Sequence, residues 1–67
     1  MSIKDYIINN FKDSSKDEIK ESIVESISSN DEVVLPGLGV LFSIVWENSD
    51  EELKNKILDI LEKKINQ

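Results

Sequence analysis

Apolar residues recur at helical spacing in three stretches of this chain, and each stretch opens on a capping signal. In the first, Ile3, Ile7, Ile8 and Phe11 fall on one face of a helix. Ser2 stands just ahead, where its hydroxyl can accept from a free N–H of the first turn, with Asp5 three residues on. Asn9 and Asn10 weaken the far end, and Asp13-Ser14-Ser15 reads as a short connection. The second stretch runs from Lys16 to about Ser28, with Ile19, Ile23, Val24 and Ile27 on its apolar face. Ser15 and Glu18 have the S-x-x-E spacing of a capping box, and Ser28-Ser29-Asn30-Asp31 closes the helix. The last stretch runs from Asp50 to about Ile65. Ser49 and Glu52 repeat the box, and Leu53, Ile57, Leu58, Leu61 and Ile65 form a stripe expected to be buried. Acids at its start and Lys63 and Lys64 at its end both complement the helix dipole.

Between the capped helices lies a different kind of segment. Residues 33–46 are apolar apart from Pro36, Gly37, Gly39 and Ser43, and they hold the only Pro, both Gly and the only Trp. Two local structures compete. Either Val33–Leu35 is an extended link and Pro36 opens a helix reaching about Glu47, or Val33–Leu35 and Val40–Trp46 pair as strands. The connection favours the helix, because Trp46-Glu47-Asn48 leads straight into the last capped helix and a lone two-stranded hairpin is weak. A helix with apolar residues on every face is expected to sit centrally, packed on all sides, with Trp46 at least partly buried. The expected fold is therefore all-α. It is a single small domain over residues 1–67, a bundle of about four short helices whose central apolar helix follows a Pro-Gly-Leu-Gly turn.

Composition removes most chemistries. There is no Cys and no His, so zinc sites, thiol chemistry and imidazole catalysis are excluded, and no metal, cofactor or catalytic residues are predicted. There is no Arg, which denies the chain the planar fork that grips phosphate and guanine. Pro36-Gly37-Leu38-Gly39 lacks the Lys-Ser/Thr of a phosphate loop and the third Gly of a dinucleotide fingerprint. No apolar run approaches the roughly 20 residues of a membrane span, and MSIKDYIINN lacks the build of a secretory signal. The absence of Ala and Thr beside abundant Ile, Asn, Lys and Ser reads as the mark of an AT-rich genome.

Net charge is −6 and unevenly spread: −2 over residues 1–30, −6 over 31–52 and +2 over 53–67. The one basic cluster is Lys54, Lys56, Lys63 and Lys64, on the last helix. Asp17, Glu21 and Glu25 make an acidic stripe on the second, read as a solvated face. DNA binding is expected to be weak or absent at physiological salt, because non-specific affinity comes from neutralising phosphates.

Two resemblances attach to the central segment. A helix followed by Asn30 to Phe42 is similar to the core of the bacterial histone-like proteins, where a helix leads into a Gly-aromatic-Gly hairpin. That likeness implies a DNA-associated protein with a helix-hairpin core, but it stops where those proteins continue into basic arms. The second covers almost the whole chain. Leu35-Pro36-Gly37-Leu38-Gly39-Val40-Leu41-Phe42 with Trp46 at its spacing resembles the signature of the small acid-soluble spore protein I family, chains of about this length from endospore-forming Firmicutes. That resemblance implies a minor acid-soluble protein made during sporulation in the forespore cytoplasm and retained in the spore core. It implies a structural or interaction role and no enzymatic one. The DNA-coating spore proteins are a different family, and their Gly-rich signature is absent. The signature residues, Leu35 to Phe42 and Trp46, are the expected interaction surface, for an unidentified protein partner or for a second copy of the chain. A homodimer would make its contact through Leu38, Leu41, Phe42 or Trp46.

Overall fold

The computed structural model describes residues 2–67 as four helices joined by short turns. Helix α1 spans Ile3–Asn10, α2 Lys16–Ser29, α3 Leu35–Glu47 and α4 Glu51–Ile65, with a 3₁₀ turn over Glu32–Val34 leading into α3. No strand occurs among the described residues, so the all-α reading holds and the helix-hairpin core of the histone-like alternative does not form.

The helix starts follow from local chemistry. The Ser2 hydroxyl accepts from the Asp5 N–H at 3.1 Å. At α2 the capping box closes in both directions: the Glu18 N–H donates to Ser15 Oγ at 3.2 Å, and the Ser15 N–H donates to Glu18 Oε1 at 3.1 Å. The Ser15 backbone N–H, and after it the Ser15 hydroxyl, stabilise the Glu18 carboxylate and hold its pKa below the ordinary glutamate value. Asn30 ends α2 in the left-handed region at φ 57°, one of the few non-glycine types that tolerates it.

Helix α4 departs from expectation at its first residue. Asp50, not Ser49, is its cap: Asp50 Oδ1 accepts from the Leu53 N–H at 2.8 Å. A carboxylate meets the positive helix end with a full charge, and the Ser49 hydroxyl is taken, donating to the Val45 carbonyl. The entry to α3 also differs. Val33–Leu35 is no extended link, because Glu32–Val34 is a 3₁₀ turn and Leu35 is helical at φ −61°, ψ −44°. Proline disfavours that geometry in its predecessor without forbidding it. Here Asp31 supports the turn, its carboxylate accepting from the Val33 N–H at 3.0 Å. Pro36-Gly37-Leu38-Gly39 forms the opening of α3, and neither glycine has a positive φ.

Helix α3 is the hub, and its most extensive helix contact is with α1. Lys4 Nζ of α1 lies 2.8 Å from Glu47 Oε1 at the end of α3, and Ile7 approaches Gly37. Two expectations about burial fail. No side chain among the described residues is fully buried, so α3 is not packed on all sides, and the stripe of α4 is open, with Leu53, Leu58 and Leu61 each more than two-fifths exposed. Both failures share a cause. Two short helices cover only one side of α3, and α4 leaves through Asn48-Ser49-Asp50 without folding back over the other. The radius of gyration is 13.3 Å, against about 11 Å for a close-packed domain of this length.

Candidate interaction surface

The signature segment is one helix with two unlike sides. At 3.6 residues per turn, Gly37, Leu41 and Ile44 share one side of α3 and Leu35, Gly39, Phe42 and Trp46 the other. The inner side is half-buried at each of its three positions. Gly37 turns its backbone to α1, and a β-carbon built there would meet Ile7 Cδ1 at 3.6 Å, ordinary contact.

The outer side is open. Leu35 is 59% exposed and Phe42 47%, Gly39 is exposed with nothing within 4 Å of where its β-carbon would sit, and only Trp46 is half-buried. The result is an apolar stripe with a notch at Gly39 between two larger side chains. Phe42 and Trp46 lie with ring centroids 6.3 Å apart and planes tilted by 32°, and Lys54 Nζ of α4 sits 5.3 Å from the Trp46 ring centre. Trp46 is thus the point where the stripe meets α4.

The predicted surface therefore divides. Leu35, Gly39, Phe42 and Trp46 come together on the open side, whereas Gly37, Leu38, Val40 and Leu41 are half-buried and Pro36 stands exposed at the helix start. Sequence reasoning missed the second open surface, the apolar side of α4. Its amphipathic stripe is plain in the sequence, but periodicity alone does not say whether the stripe packs within the chain.

A groove of about 560 Å³ runs between α1, α2 and α3, lined by Ile7, Phe11, Ile23, Leu41 and Ile44 among others, with Asn9 and Lys12 its only polar residues. It gathers no acid–base pair. Among the described residues no cluster of potential metal ligands occurs, and no helix is long and apolar enough to cross a membrane. The basic cluster on α4 is partly engaged within the chain: Lys54 and Lys56 each stand 3.8 Å from a carboxylate, Glu51 and Glu52 respectively.

Comparison with known proteins gives a consistent picture. Residues 1–65 match the family described as small, acid-soluble spore protein I. Proteins of that name from Bacillus cereus and Bacillus mycoides are each 41% identical over 61 residues, covering 91% of this chain and 88% of theirs. One from Bacillus anthracis is 39% identical over the same span. No solved structure matches the chain.

Proposed function

The chain belongs to the small, acid-soluble spore protein I family, and from that premise we propose that it is a non-enzymatic interaction component of the spore core, made in the forespore and working through the open side of α3. The observation that carries this reading is the division of the signature. Part of it turns inward, Gly37 toward Ile7 of α1 and Leu41 into the groove between α1, α2 and α3. Leu35, Gly39 and Phe42 stand exposed instead, as an apolar stripe that ends on the half-buried Trp46 and that the fold of one chain leaves open. Exposed apolar patches of this kind mark contact sites.

The chemistry of the chain supports a binding role over a catalytic one. The apolar groove presents one amide and one ammonium and no nucleophile beside a base. A DNA-associated role draws no support, since the hairpin is absent, Arg is absent, and half of the lysine cluster faces carboxylates of its own helix.

The test is a crosslinking pull-down from dormant spores with the whole protein and a Phe42→Ser variant as baits. The reading expects a discrete protein set recovered by the first and lost with the second. Equal recovery by both baits, or recovery of DNA, would overturn it.

A further inference from the structure

Helix α4 holds a second apolar surface, and its charges point to what covers it. Leu53, Ile57 and Leu61 fall within an arc of about 80°. Leu53 is 46% exposed, Leu61 42% and Ile60, beside them, 65%, while Ile57 is half-buried. The chain as a whole exposes 5791 Å², against roughly 4,300 Å² for a compact monomer of 7.7 kDa. That excess of about 1,500 Å² is larger than the ~800 Å² each partner contributes to a standard interface.

We propose that α4 pairs with α4 of a second copy of this chain, antiparallel, about a two-fold axis at Ile57. The proposal rests on the reading of the chain as an interaction component and names one of its partners. The sequence of α4 is self-complementary in that orientation. With the axis at Ile57, Leu53 meets the other copy's Leu61, Leu61 meets its Leu53, and the cap Asp50 meets its Lys64. These three apolar layers end in an ion pair on each side. Asp50 and Lys64 both lie within about 20° of the direction of Ile57, so they belong to the contact face and not to a flank. A parallel pair would set Asp50 against Asp50 and Lys64 against Lys64, the like-charge juxtaposition that suppresses wrong orientations. A two-fold axis closes the contact at two chains, because the same patch is used on both. The acidic stretch of residues 31–52 lies largely outside this contact, so its repulsion does not fall on the axis.

Sedimentation equilibrium of the full chain decides the stoichiometry, with a 15.4 kDa species expected, twice the 7.7 kDa of one chain. A 7.7 kDa monomer from micromolar to millimolar concentration overturns the proposal. Orientation is read from charge and from engineered cysteines, which are unique because the chain has none. Lys64→Glu should weaken the dimer by about threefold or more, and adding Asp50→Asn, which keeps a competent cap and removes the opposing charge, should recover part of that loss. Circular dichroism should stay unchanged for both, since the positions are exposed. Mixing Leu53→Cys chains with Leu61→Cys chains under oxidation should give mainly the mixed disulfide dimer. Predominant Leu53→Cys self-crosslinking, or a dimer indifferent to Lys64→Glu, would overturn the antiparallel α4 contact. Should the chain prove monomeric while the Phe42 comparison in spores still separates the two baits, this inference alone would fall.

Discussion

Lys54 Nζ stands 5.3 Å from the centre of the Trp46 ring, and this contact spans the turn at which α4 departs from α3. The lysine stem is largely covered, its side chain only 25% exposed, while its head also approaches Glu51. A cation over an aromatic face at a partly exposed site contributes about 0.5–1 kcal/mol, and the stem shields the ring from water. Lys54→Ala should therefore lower stability by no more than about 1 kcal/mol and shift Trp46 emission to the red. Both readouts come from one denaturant titration followed by fluorescence. An unchanged emission maximum would show that the ring is shielded by other groups.

The two glycines of α3 should respond to alanine in the same direction. Glycine inside a helix costs roughly 1 kcal/mol relative to alanine through lost backbone freedom. Neither position needs a positive φ, Gly39 has open space where a methyl would go, and the methyl at Gly37 would touch Ile7 at an ordinary 3.6 Å. Gly39→Ala is expected to stabilise the chain by up to about 1 kcal/mol, with Gly37→Ala close behind. A destabilised Gly39→Ala chain would mean that another surface approaches the notch in solution.

How much of this was legible in the sequence depends on the range of the interaction. The Ser2 and Ser15 caps could be read because the partner N–H lies three residues away. The cap of α4 slipped by one residue because Ser49 and Asp50 are adjacent competent caps, and the Val45 carbonyl, four residues back, took the serine. Helix α3 could be named but not oriented. With apolar residues all round, nothing in the pattern says that Leu41 faces inward and Phe42 outward, and that distinction comes from the side α1 occupies. The exposure of the α4 stripe was least legible. Amphipathic periodicity says that a face seeks a partner, and not whether the partner lies in the same chain.

The Glu18 carboxylate gives the chain an acid-sensitive helix start. Its pKa is lowered in the folded state by the bonds from Ser15. A depressed folded pKa means that the contribution is complete above the ordinary glutamate range, near about 4.3. It is lost as the pH falls through the lowered value. Glu18→Gln keeps an oxygen for the Ser15 N–H but does not titrate, so its α2 helicity should fall less between pH 5 and pH 2 than the parent's. Ser15→Ala removes the other half of the box and should cost about 0.5–2 kcal/mol at neutral pH. Circular dichroism across the pH range separates the two effects.

Leu41 and Phe42 are neighbours in sequence and should fail in opposite ways. Leu41 is half-buried on the inner side of α3 and lines the groove beside Ile7, Phe11, Ile19 and Ile23. Phe42 is 47% exposed on the outer side and touches Trp46 through a tilted ring pair. Truncating a fully buried leucine costs about 2–5 kcal/mol. Leu41 is only partly covered and can relax, so Leu41→Ala should cost roughly 1–2 kcal/mol. In a chain of this length that is a large share of the total stability. Phe42→Ala gives up the aromatic pair, worth about 0.5–1.5 kcal/mol at most, and a ring that water already reaches. Its stability loss should be the smaller, while recovery of spore partners should drop sharply. The Leu41→Ala chain, where it remains folded, should retain that recovery. Denaturant midpoints and pull-down yields measured on the same two variants decide the matter. If Phe42→Ala proves the more destabilising, or Leu41→Ala the more damaging to partner capture at equal folded fraction, then the two sides of α3 have been assigned the wrong way round.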